Sequence, residues 1–211
     1  MEQLSEEWFE DRLGRITASR VARILSGGHQ QWYKIMDDMQ KDIDLGAEYL
    51  MNNQIDAKPL RWGRENEEPA IRAFEMLYDV DVERVGSIHH PELDYVSASP
   101  DGRIKCDWMD GIAEVKSPWN PENHILTLNH GMPSKHKPQV QLQMAVTETD
   151  SAVFLSYDPR HKDIKKRLYV EFMHRDDIYI ENMLRKCEDF YEIFNKGNWR
   201  GNEPEGIPEL F

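Results

Sequence analysis

Between residues 62 and 116 the spacing of apolar side chains changes period, so neither an all-helical nor an all-strand fold accommodates this stretch. From Trp62 to Tyr78, the residues Ala70, Ile71, Phe74, Leu77 and Tyr78 recur at helical spacing. Beyond them Val80 and Val82, then Tyr95–Ser97, Arg103–Lys105 and Ile112–Lys116, follow period two, the mark of strands. Turn residues separate these runs at Pro91, at Pro100-Asp101-Gly102 and at Asp110-Gly111.

The flanking stretches extend the helical part. Ser5 to Arg12 reads as a short helix closing near Gly14, and Thr17 or Ser19 caps a second, with Val21, Ile24 and Leu25 as its stripe before Gly27-Gly28. Residues 30–52, 121–129 and 137–147 read as helices, Val153–Ser156 and Leu168–Phe172 as strands, and 176–195 as a closing helix. The expected architecture is an α/β domain with a mixed, mainly antiparallel sheet flanked by helices. It occupies residues 1–211 as one unit, with 197–211 a polar tail rich in Gly, Pro and Glu.

Composition bounds the function classes. No apolar run approaches the roughly 18 residues of a membrane span. The start, with Ser5-Glu6-Glu7-Trp8-Phe9, lacks the basic region and apolar core of a signal peptide. Two cysteines, Cys106 and Cys187, are too few for a disulfide framework or a zinc knuckle. A reducing cytoplasm is expected. The net charge of −13 argues against a polyanionic partner, yet charge is unevenly spread. Residues 36–56 carry Asp37, Asp38, Asp42, Asp44, Glu48 and Asp56 against Lys41, whereas 160–167 carries Arg160, Lys162, Lys165, Lys166 and Arg167 against Asp163.

The chemistry-bearing pattern is Ser99-Pro100-Asp101-Gly102 followed by Glu114-Val115-Lys116. On a strand Glu114 and Lys116 project together while Val115 faces the core, and a hairpin brings Asp101 toward them. Two carboxylates and an ammonium suit a hard cation such as Mg²⁺, which polarises a phosphate oxygen and acidifies a bound water. Lys116 would orient that water, its own pKa falling beside a dication, and as an exposed lysine it should add little to the core. The same residues also describe a surface hairpin with a cross-strand ion pair.

Further landmarks accompany the hairpin: Arg12-Leu13-Gly14, Ile16-Thr17-Ala18-Ser19, Trp62-Gly63-Arg64-Glu65-Asn66-Glu67, Gln139-Val140-Gln141 and Tyr157-Asp158-Pro159-Arg160. In this order they resemble the phage lambda exonuclease family, the YqaJ-like viral recombinase exonucleases, within the PD-(D/E)xK nuclease superfamily. The resemblance implies a restriction-endonuclease-like core and a Mg²⁺-dependent 5′→3′ exonuclease. It would hydrolyse the 5′-ended strand at double-stranded DNA ends to mononucleotides, leaving 3′ single strands for recombination by annealing. It implies Asp101, Glu114, the Val115 carbonyl and Glu67 as metal ligands and Lys116 as catalytic lysine. Mn²⁺ would substitute, and two ions are expected with DNA bound.

Arg12, Ser19, Ser99 and Gln139 correspond to a pocket for the terminal 5′-phosphate, and Leu60 to an apolar wedge between base pairs. The resemblance further implies a ring-shaped homotrimer, a single-strand annealing recombinase as partner, and a phage- or prophage-encoded protein in a bacterial host. Alternatives remain for each residue: Glu67 as an exposed helix acid, Arg12 as a solvated helix residue, Ser19 as only a cap, Gln139 as one of three exposed glutamines, Leu60 as core. His89, His90, His124, His130 and His136 show no metal-ligand spacing and read mostly as surface residues. The 160–167 run reads as a strand-edge loop that could touch DNA. An endonuclease sharing the metal site, or a DNA-binding or assembly protein with a vestigial one, are the rival functions.

Overall fold

A computed structural model describes residues 3–197 and Trp199. Two sheets, not one, form the β part. The larger has the order β2 (Val82–Glu83), β5 (Gly102–Cys106), β6 (Met109–Lys116), β7 (Ser151–Tyr157), β8 (Leu168–His174), while β1 (Ile16–Thr17), β4 (Val96–Ala98) and β3 (Ile88–His89) form the smaller in the order β1-β4-β3. Within the larger sheet β6 and β7 run parallel and the other pairs antiparallel. β4 and β5 are neighbours in sequence yet belong to different sheets, and Pro100, which has no N–H for a ladder, lies between them.

Helices α1 (Glu6–Arg12), α2 (Ala18–Ser26), α3 (His29–Leu45), α4 (Ala47–Asn52), α5 (Lys58–Tyr78), α6 (Pro121–His130), α7 (Lys137–Thr147) and α8 (Asp177–Lys196) complete the order. Ser5 caps α1 by accepting from the Trp8 amide. The expected helix over 30–52 is divided into α3 and α4 by Gly46, whose φ of 78° is left-handed and favours glycine. Thr17, not Ser19, is the residue preceding α2, and Ser19 lies within its first turn.

Asp110-Gly111 is no turn. The β5–β6 hairpin turns at Asp107-Trp108, because Cys106 pairs with Met109 and Gly111 pairs with Ile104 inside the ladder. Glycine is required there for a different reason: a Cβ on Gly111 would stand 2.5 Å from the Ser151 carbonyl oxygen of β7.

α5 covers one face of the larger sheet, packing Ala70, Ile71 and Phe74 against Ile104, Ala113, Val115, Val153 and Leu155. α7 covers the other face, with Val140 and Met144 against Ile112 and Ala152. Its remaining sides pack Leu142, Ala145 and Val146 into a second core shared with α2, α3, α8 and the smaller sheet. α7 is therefore buried from Val140 through Thr147, between the two sheets. Among the described residues no helix is long and apolar enough to cross a membrane.

Candidate active site

Strand alternation sends Ala113 and Val115 of β6 toward α5 and leaves Ile112, Glu114 and Lys116 on the α7 face. Glu114 is 1% exposed. Gln139 Nε2 of α7 donates to its Oε1 at 2.7 Å, Gln143 Nε2 donates to its Oε2 at 2.6 Å, and the Lys116 ammonium pairs with Oε1. Gln139 and Gln143 are four residues apart, one helical turn, so a single face of α7 grips both oxygens.

Asp101 sits at the mouth of β5, its amide donating to the Ala113 carbonyl at 3.1 Å and its Oδ2 accepting from the Val115 amide at 2.7 Å. Ser117, just past β6, donates to the Asn66 carbonyl of α5 at 3.5 Å, which brings Glu67 alongside. Arg84 ties the rim: its Nη1 donates to the Asp101 carbonyl at 2.6 Å and to Glu67 Oε1 at 3.3 Å, and its Nη2 pairs with Glu68.

Burial first, then the charges of Glu114 and Glu67, lift the Asp101 carboxyl well above the usual carboxylate range. Burial, reinforced by Glu114 and opposed by Arg84, likewise lifts Glu67. Burial pulls the Lys116 ammonium down, but Glu114 and Asp101 outweigh it and its pKa lies above that of ordinary lysine. The carboxylates alone set this direction; a dication among them would act in the opposite sense. Mutual lifting of clustered acids is what a hard cation relieves, so the oxygen donors fit Mg²⁺ in kind. As the side chains stand, no three His, Cys, Asp or Glu groups among the described residues are arranged as metal ligands. The acid oxygens are turned instead to Gln139, Gln143, Lys116, Arg84 and the Val115 amide.

A second cluster lies two residues upstream of Asp101, with the Ser99 and Asp101 Cα atoms no more than about 7.6 Å apart. Ser99 Oγ accepts from Trp8 Nε1 at 3.0 Å and from Arg12 Nη1 at 3.1 Å, and the Arg12 guanidinium lies 4.1 Å over the Trp8 ring. Ser19 Oγ and Thr17 Oγ1 stand 3.1 Å apart. Trp8, Arg12, Thr17, Ser19, Arg20 and Asp42 line a cavity of about 200 Å³. Burial, then the charge of Arg20, lowers Arg12 to about 10. Of the four expected phosphate-pocket residues, Arg12 and Ser99 are bonded and Ser19 lines the cavity with Arg12. Gln139 belongs to the Glu114 cluster instead.

Leu60 is 50% exposed on the first turn of α5, so it is not a core leucine. The α7 glutamines are not surface residues: Gln141 and Gln143 are buried. His124 is buried and fixed between Ser156 Oγ and the Lys166 carbonyl, each at 2.8 Å. His136 stacks on Phe154 and burial lowers it to about 4. The 160–167 segment is the loop between β7 and β8, where Arg160 binds Asp158 while Lys162, Lys165 and Lys166 are exposed. The tail's apolar residues Ile207, Leu210 and Phe211, on which a subunit interface would draw, lie outside the described residues. Sequence reasoning missed Gln143, Arg20 and Arg84; for Gln143 the available signal was its place one turn after Gln139, on the same helix face. A cavity of about 760 Å³, lined by Tyr78, Trp108 and Phe172 among others, opens at the hairpin end of the sheet, remote from these acids.

Comparison with known proteins places the family and the fold. The model of the YqaJ-like viral recombinase domain family matches residues 7–150. The crystal structure of LHK-Exo in complex with dAMP superposes with a TM-score of 0.81 at 29% identity, covering 92% of this chain and 94% of that one. The alkaline exonuclease LHK-Exo from Laribacter hongkongensis gives 0.80 at the same identity and coverage. A phage-related exonuclease from Haemophilus somnus 129PT gives 0.61 at 14% identity, covering 86% of this chain and 94% of that one, a likeness of fold. No curated protein matches.

Proposed function

The chain belongs to the YqaJ-like viral recombinase domain family, and on that premise we propose that it is a Mg²⁺-dependent exonuclease that digests the 5′-ended strand of linear double-stranded DNA. The observation that carries the reading is the gathering of Asp101, Glu114, Glu67 and Lys116 at the end of β6, with Ser99, the hydrogen-bond partner of Arg12, two residues before Asp101. The exonuclease names of the structures at 29% identity support the same reading.

Asp101, Glu114, the Val115 carbonyl and Glu67 would hold Mg²⁺, with Mn²⁺ as substitute and a second ion when DNA is bound. The ion supplies polarisation of a phosphate oxygen and a more acidic water. Gln139 and Gln143 orient the Glu114 carboxylate. Lys116, on the same strand face, holds the attacking water and offsets charge building on the phosphate. Arg12 and the hydroxyls of Ser99 and Ser19 grip the terminal 5′-phosphate, where a planar guanidinium and neutral donors match its oxygens. Leu60 projects where a base pair would be parted. Three chains in a ring would enclose the duplex, and a single-strand annealing recombinase would take the 3′ strand released.

Incubating linear and covalently closed circular duplexes with Mg²⁺ or EDTA tests the reading. Loss of the linear form alone, in Mg²⁺ alone, is expected. Cutting of the circle indicates an endonuclease, and binding of DNA without cleavage an assembly protein. Duplexes with 5′-hydroxyl ends should be digested more slowly than phosphorylated ones, and Arg12→Ala should erase the difference.

A further inference from the structure

Three residues past Lys116, Trp119 holds its indole 46% exposed, yet the segment carrying it is rigidly braced. Arg160 Nη1 donates to the Trp119 carbonyl at 3.1 Å and Nη2 to the Pro118 carbonyl at 3.2 Å. Asp158, 1% exposed, accepts from Arg160 Nε and Nη2 at 2.8 Å each. The guanidinium lies 4.1 Å over the Trp62 ring, and Trp62 meets Trp119 edge to face at 5.9 Å. All three nitrogens of the Arg160 guanidinium thus serve protein acceptors, and one face of Trp62 is covered. The arrangement fixes the Trp119 ring, which the guanidinium approaches to 6.0 Å from the centroid, and leaves it half open to solvent.

Its place bears on what it could hold. Trp62 precedes Glu67 by five residues on α5, about 7.5 Å along the helix axis at ~1.5 Å per residue. Stacked nucleotides of one strand are about 3.4 Å apart, so the shelf lies within roughly two nucleotides of the acids. Exposed Leu60 is two residues further toward the helix start, and the same turns expose Lys58 and Arg64, suited in charge to a phosphate backbone, while Arg61 is paired with Asp56.

We propose that the open face of Trp119, braced by Trp62 and Arg160, is a stacking site for one unpaired nucleobase beside the bond to be cleaved. The assignment rests on the nuclease reading above. An aromatic face suits an enzyme that must advance through any sequence, since every base offers a π-face and none need be read by hydrogen bonds. It also gives the strand end parted at Leu60 somewhere to settle.

The test compares full-length wild type, Trp119→Phe and Trp119→Leu on duplexes with normal or abasic nucleotides at the first three positions of the 5′ strand. On normal DNA, Trp119→Leu should raise KM and the Kd for duplex in EDTA by about tenfold or more, whereas Trp119→Phe stays near wild type. With an abasic site at the stacking position, wild type and Trp119→Leu should converge. A wild-type KM and Kd for Trp119→Leu on normal DNA overturns the proposal, as does an undiminished deficit on abasic DNA. The EDTA measurement, by fluorescence anisotropy, needs no cleavage. A wild type that binds but never cuts therefore removes the exonuclease reading, while the Phe–Leu difference in Kd still decides the stack.

Discussion

A carboxylate at 1% exposure is tolerated only when its oxygens are bonded, and Glu114 is held by Lys116, Gln139 and Gln143. Lys116→Ala should therefore do two things. It should abolish cleavage, and it should destabilise the fold by about 1.5–3 kcal/mol through loss of a charged partner, read from urea unfolding in EDTA. The second effect departs from the expectation of a lysine with little bearing on the core, which rested on strand alternation without knowing how deep Glu114 lies. Gln143 presents a different balance. Its Nε2 binds Glu114, but its buried Oε1 has no partner among the described residues. Gln143→Met removes a charged hydrogen bond of about 1.5–3 kcal/mol and an orphan acceptor costing about 1–3 kcal/mol, so the two effects nearly cancel. Unfolding should shift by less than about 1 kcal/mol while the Mg²⁺ concentration for half-maximal digestion rises. A large loss of stability with unchanged Mg²⁺ dependence would make Gln143 a packing residue only.

Among the elements, α5 does most to define the site, since its apolar stripe fixes the helix on the sheet and so the position of Glu67. Phe74 is the anchor, fully buried and 4.8 Å from the Tyr78 ring. Phe74→Ala should cost about 3–5 kcal/mol, measured by denaturant unfolding, with digestion falling in parallel as Glu67 drifts. This helix was legible because a long stripe repeats a 3.6-residue period several times, and α8 was legible likewise, whereas α7 is buried all round from Val140 to Thr147 and has no such stripe. Ile16–Thr17 and Ile88–His89 were not, because two residues establish no period. Asp110-Gly111 carries the letters of a tight turn, but glycine serves close strand approach equally, and only the β7 neighbour tells which. Asp101, Glu114 and Lys116 were readable because alternation alone puts the last two on one face. The partners of those acids come from α7 and from Arg84, and no local pattern encodes contacts across such separations.

For the molecule as a whole, a net charge of −13 has to be reconciled with the proposed polyanionic substrate. A closed ring does so, because only its lining need be basic, and exposed Lys162, Lys165 and Lys166 are suited to that position. The expected assembly is a trimer of about 75 kDa, three chains of 24.9 kDa. Light scattering in moderate salt checks it, and a monomeric mass with undiminished processive digestion would rule out the ring. One further consequence follows from α7, which is enclosed between the sheets while holding Glu114 by two glutamines. A helix enclosed on every side cannot fray by itself, so its amides should exchange with deuterium only through global opening, among the slowest in the protein. The carboxylate it grips then shares that cooperativity. On warming, catalytic geometry and native structure should vanish in one transition, leaving no folded but misaligned state in between.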